Sequence, residues 1–177
     1  TSPAYSGVIG ELAYGFGEVP DNNTANRQIG AAIGYTNGPM LVKLAYLSTD
    51  DPTGSDRSKN TLLVGKWDFG IATGSLGFGT TKGIGPIDNR EWIVGVSAPF
   101  GPPTFLASYI RNDDRNVTGN DANQWALGYT YAMSQRTNFY AAWARINNHN
   151  AAAYTVGNAS EVGSGDKAFN LGVRHTF

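Results

Sequence analysis

Apolar residues recur at every second position through most of this chain, in stretches of roughly ten residues, and that period limits the fold more than any other feature. Between Ala122 and Met133, the residues Trp125, Leu127, Tyr129 and Tyr131 fall on one side, with Gln124, Ala126, Gly128 and Thr130 on the other. Between Asp166 and Phe177, the row Phe169, Leu171, Val173, His175 and Phe177 opposes Ala168, Asn170, Gly172, Arg174 and Thr176. Successive side chains of a strand point to opposite faces, so this period predicts β-structure with one apolar face and one small or polar face. Strands in globular proteins usually run about 5–6 residues, whereas about 10 suit a tilted crossing of a bilayer.

Ten strands are expected. Tyr5 to Glu18 sets Val8, Gly10, Leu12, Tyr14 and Phe16 against Glu11, Ala13, Gly15 and Gly17. Ala25 to Thr36 sets Ile29, Ala31, Ile33 and Tyr35 against Asn26, Gln28, Gly30 and Ala32. Met40 to Thr49 sets Val42, Leu44 and Tyr46 against Lys43, Ala45 and Leu47. Ser58 to Phe69 sets Leu63, Gly65, Trp67 and Phe69 against Lys66 and Asp68. Thr73 to Lys82 follows, then Arg90 to Ala98 with Trp92, Val94 and Val96 against Glu91, Gly95 and Ser97. Two stretches carry large apolar residues on both sides. In Thr104 to Asn112 the row with Leu106 and Ile110 is assigned as the apolar one over Phe105 and Tyr109, which puts Arg111 on the polar side. In Thr137 to Ile146, Phe139 and Trp143 oppose Tyr140, and the facing stays open.

Composition narrows the function. The net charge is -1, so no basic field points to nucleic acid as a partner. Cysteine is absent, which excludes disulfides, thiolate zinc sites and cysteine nucleophiles. The 23 glycines, 9 tyrosines, 8 phenylalanines and 4 tryptophans suit tight turns and aromatic belts. No apolar run is long enough for a transmembrane helix, and barrel strands need only one apolar face. The chain opens on Thr1-Ser2-Pro3 without a basic or apolar leader; an exported protein would have lost one on maturation, but this start does not resemble a mature N-terminus either. Gly77, Gly79, Gly83 and Gly85 stand two apart or in a turn with no helix following, so they do not make a phosphate loop; glycine there lets a sheet bend.

The connections alternate. Those after the odd-numbered strands are long and polar, and those after the even-numbered strands are tight turns such as Asn37-Gly38-Pro39 and Ser134-Gln135-Arg136. In an antiparallel meander, alternate connections lie at the same end. One end therefore carries loops and the other carries turns, the pattern of a transmembrane β-barrel.

The segments Asn123 to Thr137 (NQWALGYTYAMSQRT) and Asn170 to Phe177 (NLGVRHTF) resemble the general diffusion porins of the β-proteobacterial, neisserial and Comamonas-like type. Ile29 to Leu41 is similar to that family's strand–turn–strand, and Ser134-Gln135-Arg136-Thr137 is similar to its last turn, with Gln135 in place of a lysine. The resemblance covers most of the chain and is most specific in its final strands. It implies an all-β, antiparallel up-and-down barrel of the Gram-negative outer membrane, sixteen-stranded and trimeric. This chain, residues 1–177, would supply the C-terminal ten strands, with the N-terminal strands and the constriction loop not in it. Thr1 to Gly7 looks like a mid-barrel turn. The implied work is passive diffusion of small hydrophilic solutes and ions, without enzymatic activity, cofactor or metal. The implied partners are the N-terminal part of the same barrel, two further copies in a homotrimer, outer-membrane lipid and lipopolysaccharide, and the barrel-assembly machinery. That machinery would read Phe169, Leu171, Val173, His175 and Phe177 as the terminal signal.

In such a barrel, alternation assigns Glu11, Lys43, Lys66, Asp68, Glu91, Arg111 and Arg174 to the pore lining, where water solvates charge. Tyr14, Tyr35, Tyr46, Trp67, Trp92, Trp125 and Tyr129 are candidates for the aromatic girdle, and Arg27 and Arg145 for the rim. The competing reading is a complete ten-stranded barrel acting as an adhesin or as a protease. A protease would use Asp50, Asp51, Asp113, Asp114 and His149 at one mouth to activate water.

Overall fold

The computed structural model describes residues 6–17, 19–157 and 165–177. Its ten strands are β1 (Val8–Gly15), β2 (Gln28–Asn37), β3 (Met40–Asp50), β4 (Arg57–Asp68), β5 (Thr73–Lys82), β6 (Asp88–Pro99), β7 (Pro103–Asp114), β8 (Ala122–Ala132), β9 (Thr137–Asn148) and β10 (Lys167–His175). They form one sheet in sequence order, and every neighbouring pair is antiparallel. This is the expected up-and-down meander, with loops at one end and turns at the other.

Local chemistry explains where strands begin and end. β2 starts at Gln28 rather than Ala25, because Asn22 Oδ1 accepts hydrogen bonds from the Thr24 and Ala25 amides and Asn26 takes a φ of 58°. Those bonds fold the segment before β2 into a turn. At the other end, Gly38 (φ 53°) and Gly70 (φ 85°) supply the left-handed residues of the β2–β3 and β4–β5 turns. The first strand, expected from Tyr5 to Glu18, is observed over Val8–Gly15; Tyr5 and Glu18 lie outside the described residues. β10 ends at His175, and the Phe177 ring packs edge-on against His175 at 4.8 Å.

Among the described residues no helix and no second sheet covers this one. Among the described residues the buried apolar ones are Ala25, Ala122, Ile146 and Val156, and none of the large side chains is fully buried. Leu12, Leu76, Leu127, Phe169 and Val173 are all more than half exposed. Nor do β1 and β10 pair with each other, so within the described residues the sheet is open and the self-closed ten-stranded barrel is not formed.

Candidate pore wall and membrane face

Residues directly opposite in an antiparallel ladder share a face, so the register sorts every strand residue to one of two surfaces. One ladder row reads Glu11, Ala32, Ala45, Leu62, Gly79, Glu91, Asn112, Ala122, Asn148. The next row on the same face carries Lys43, Val64, Gly77, Ile93 and Ile110. The row after that contains Thr36, Leu41, Lys66, Ser75, Gly95, Ser108, Ala126, Ala144 and Ala168. This face is concave. A hollow of about 810 Å³ spans it from Lys66 on β4 to Asn170 on β10 and is lined by serines and alanines together with Ile93, Leu106, Thr130 and Tyr140. Glu11, Lys43, Lys66, Asp68, Glu91 and Arg174 all stand on it. Lys43 Nζ donates to Glu11 Oε1 at 2.9 Å, so two of these charges neutralise each other along the wall.

Arg111 is the exception. It pairs with Trp92 and Asn123, so it lies on the opposite, convex face, and Leu106 and Ile110 lie on the concave one. Alternation alone is symmetric and both rows of β7 are apolar; the register breaks the tie by setting Tyr109 against Trp125 and Ile110 against Gln124. At its position near the loop end, Arg111 donates to Asp113 at 3.2 Å and lies 3.7 Å from Asp121. The open facing of β9 is resolved by the same means: Phe139 and Trp143 oppose Tyr131 and Leu127 on the convex face, and Tyr140 opposes Thr130 on the concave one.

The convex face has three zones. Near the loop end it carries Tyr14, Tyr46, Trp92 and Trp125, and near the turn end Tyr35, Trp67 and Tyr129, so all seven girdle candidates share this face. Ile33, Leu44, Leu63, Leu76, Val94 and Leu127 lie between them. Tyr109 packs against Trp125 at 4.5 Å and Phe78 against Trp92 at 4.4 Å, so this face also holds Phe78, as the alternation with Leu76 expects, and Tyr109, which the sequence reading set on the other side. The row Phe169, Leu171, Val173 and His175 lies here too, opposite Trp143, Ala141, Phe139 and Thr137.

The register also reveals a cationic rim that is not among the sequence expectations. Every Lys or Arg of a strand on the convex face stands toward the loop end: Arg57, Lys59, Lys82, Arg90, Arg111, Arg145 and Lys167. Lys59 and Lys82 are register partners, two like charges side by side. Counting in twos from Leu63 and Trp92 reaches Lys59 and Arg90. Arg145, expected at the rim, stands on the convex face toward the loop end. Arg27 precedes β2 and, with Arg57, binds the buried Asp50 at 2.8 and 3.4 Å.

The acidic and histidine side chains of the loop end do not converge. Asp50 is held by the two arginines. Asp51 folds its own loop, accepting from Thr53 Oγ1 at 2.8 Å and the Ser55 amide at 2.9 Å. Desolvation pushes the Asp51 carboxyl up, but the hydrogen bonds from Thr53, Asp56 and Ser55 outweigh it and hold the group below its ordinary value. Asp114 takes the amides of Asn116 and Asn120, and His149 contacts Asn123 at 3.2 Å. No cluster of three or more His, Cys, Asp or Glu capable of holding a metal occurs among the described residues.

A two-faced, coreless meander with aromatic belts on one side matches a known family. Residues 1–151 fit the family described as Gram-negative porin. The chain belongs to that family. Outer membrane porin protein 32 of Delftia acidovorans is 27% identical over 192 residues, covering 99% of this chain and 54% of that protein. An outer membrane porin protein of Bordetella pertussis is 25% identical over 223 residues, covering 99% of this chain and 56% of that protein. Among solved structures, the anion-selective porin from Comamonas acidovorans superposes with a TM-score of 0.80 at 26% identity, over 99% of this chain and 57% of that one. The chain thus spans a little over half the length of these relatives. The porin's place is the outer membrane.

Proposed function

We propose that these ten strands are part of the wall of a water-filled channel through which small hydrophilic solutes and ions diffuse passively, with no catalytic step and no cofactor. The observation that carries the reading is the missing core. The apolar face is bare across the whole sheet, while the concave face holds Glu11, Lys43, Lys66, Asp68, Glu91 and Arg174. Such a sheet is stable with lipid on one side and water on the other. The seven tyrosines and tryptophans of the two belts then sit at the two membrane interfaces.

Among the described residues no strand lies beyond β1 or β10, and a sheet edge exposed to hydrocarbon is unfavourable. This supports a larger ring, in which these are the C-terminal ten of sixteen strands and the N-terminal part of the barrel supplies the rest. A homotrimer, and assembly machinery reading the Phe169 to Phe177 row, belong to the same proposal. The cationic rim favours phosphate-bearing lipid, lipopolysaccharide included, in the loop-side leaflet.

One relative is described as anion-selective. On this wall Lys43, Lys66 and Arg174 are balanced by Glu11, Asp68 and Glu91, so these strands alone impose only a weak ion preference. The test is reconstitution of the purified protein in a planar bilayer, beside intact mass and gel mobility with and without heating. Ohmic channels, a denatured mass well above 18.8 kDa and a heat-labile oligomer are expected. A protein that inserts but conducts nothing refutes the channel.

A further inference from the structure

Three of the four tight turns carry residues that turns seldom carry. Turn positions go mostly to Gly, Pro, Asn, Asp and Ser, which supply the backbone geometry or solvate the tip. The β2–β3 turn, Asn37-Gly38-Pro39, follows that rule. In the other three, the residue directly after the strand is large and apolar: Phe69 after β4, Phe100 after β6 and Met133 after β8. These positions are equivalent. Each residue closes its turn with its own amide, Phe69 N donating to Ala72 O at 2.8 Å, Phe100 N to Pro103 O at 2.8 Å and Met133 N to Thr137 O at 2.9 Å. They are also equally bare, 66%, 65% and 64% exposed, and Ile71 in the β4–β5 turn is 81% exposed.

All three continue the convex face. Phe69 stands two after Trp67, and its ring reaches over Gly74, the register partner of Trp67. The Phe100 ring meets Phe105 edge-on at 5.9 Å, and Phe105 packs on Tyr129 at 5.2 Å. Met133 stands two after Tyr131, the partner of Phe139. The apolar face therefore runs on past the turn-side belt of Tyr35, Trp67 and Tyr129. The loop-side belt ends differently. Two residues beyond Trp92, Tyr46 and Trp125 come Arg90, Ser48 and Asn123, and only beyond Tyr14 does an aromatic, Phe16, follow. Charge divides the same way. Among the described strand residues of the convex face, no Lys, Arg, Asp or Glu stands toward the turn end. His175 is there, its Nδ1 2.9 Å from Thr137 Oγ1. Arg136, in the β8–β9 turn itself, is long enough to reach a lipid phosphate from the same layer.

Geometry sets the depth. A strand rises ~3.3 Å per residue and a barrel strand tilts by about 35–45°, so two residues advance the chain roughly 5 Å along the barrel axis. The polar layer on each side of a bilayer's hydrocarbon is roughly 5–8 Å thick. With the turn-side belt at the inner border of that layer, residues about 5 Å farther out are still within it.

We propose that the β4–β5, β6–β7 and β8–β9 turns are interfacial anchors, with Phe69, Ile71, Phe100 and Met133 seated among the glycerol and headgroups of the turn-side phospholipid leaflet rather than in the water beyond it. The proposal rests on the reading that the convex face meets lipid. Continuity and charge fix the partner: the four side chains are uncharged and join the lipid face without a break. Tips projecting into water would leave four large apolar groups uncovered. The sheet is thus held by cations toward its loops and by apolar tips toward its turns.

The experiment is spin-label accessibility in the whole protein, folded into vesicles of phosphatidylethanolamine and phosphatidylglycerol. These 177 residues contain no cysteine, so one introduced thiol gives one label once any cysteine elsewhere in the protein is replaced by serine. Labels go on Phe100→Cys and Met133→Cys. Val117→Cys, in the fully exposed β7–β8 loop, is the water reference, and Leu127→Cys is the mid-lipid reference. Oxygen, which partitions into lipid, and a water-soluble nickel chelate report the depth of each. Labels at positions 100 and 133 should contact nickel several-fold less than the label at 117 and lie between the two references. Where Phe100→Cys fails to fold, judged by loss of its heat-dependent gel shift, Ile71→Cys takes its place. Labels at 100 and 133 indistinguishable from 117 overturn the anchors while leaving the lipid face intact. Labels shielded from oxygen and nickel alike also overturn them, because the tips then lie against protein. A label at 127 that oxygen does not reach overturns the lipid reading itself.

Discussion

Leu127 and Ala126 are adjacent on β8 and point to opposite faces, so the same substitution at each should have opposite consequences. Leu127 lies midway along the convex face, 56% exposed, flanked by Ala107 on β7 and Trp143 on β9. Arginine on the lipid face at mid-depth costs ~2–4 kcal/mol. Losing a leucine that presents just over half its surface to lipid adds roughly 1 kcal/mol. Together, Leu127→Arg should cost about 3–5 kcal/mol, some hundredfold or more in the folding constant. Ala126 lines the concave hollow, with Ser108 and Ala144 on either side. An arginine there extends into water between small neighbours, so Ala126→Arg should cost well under about 1 kcal/mol and instead lower conductance. Urea titration of folding into phospholipid vesicles, followed by tryptophan fluorescence, measures both. Equal destabilisation by the two variants, or a neutral Leu127→Arg, would refute the assignment of faces.

Three further outcomes are expected. Asp50→Asn leaves Arg27 and Arg57 around a neutral amide at a buried position and should cost roughly 1–3 kcal/mol in the same titration, whereas Arg57→Gln, at the half-exposed partner, should cost under about 1 kcal/mol. Because its hydrogen bonds lower the folded value of Asp51, the order they give the 51–56 loop is complete above the ordinary carboxylate range and is lost as pH falls through that lowered value; carboxyl NMR should show Asp51 titrating below an ordinary aspartate, and Thr53→Ala should move it upward. Glu11→Gln leaves Lys43 without its 2.9 Å partner on the pore wall, so the zero-current potential in a salt gradient should shift toward anion preference; no shift would mean that this pair does not face the conducting water.

The strands were legible because their chemistry is local. β8 announces itself by four large residues in alternation, and the turns by Asn37-Gly38 and Ser134-Gln135-Arg136. Facing was legible wherever one row was plainly apolar, which is why alternation sorts Glu11, Lys43, Lys66, Asp68, Glu91 and Arg174 to the concave face but misplaces Arg111. In β7 both rows are apolar, and only partners distant in sequence, Tyr109 with Trp125 and Ile93 with Ile110, decide between them. β9 was within reach: β8 is unambiguous, and counting across the tight turn sets Tyr131 against Phe139. The packing of Val156, between β9 and β10, on Ala122 and Ile146 left no such signal. Val156 sits in a run of small and polar residues, and its burial depends on alanines from β8, β9 and β10 meeting beneath it.

The inner wall also shows how a sheet without a second layer packs itself. Gly77 and Gly79 were expected to serve bending, yet these two, like Gly128 and Gly172, stand directly opposite a bulky residue on the same face. Ile93 lies over Gly77, with Val64 on the other side, so that an added Cβ at Gly77 would clash with Ile93 Cγ2. The Glu91 carboxylate covers Gly79, whose Cβ would come within 2.7 Å of it. Tyr140 lays its ring across Gly172, its Cζ 2.6 Å from where a Cβ would be, and Leu106 crowds Gly128 at 3.3 Å. In a globular protein these large side chains would find contacts in an opposing layer. In the channel proposed above the opposing layer is water, so each gains its van der Waals contact sideways, against backbone that glycine leaves bare. The arrangement keeps side chains flat along the wall and the lumen open. The same residue that lets the strand curve is thus the one that allows Val64, Ile93, Leu106 and Tyr140 to stand on a water-facing surface while remaining partly covered, and a second layer becomes unnecessary.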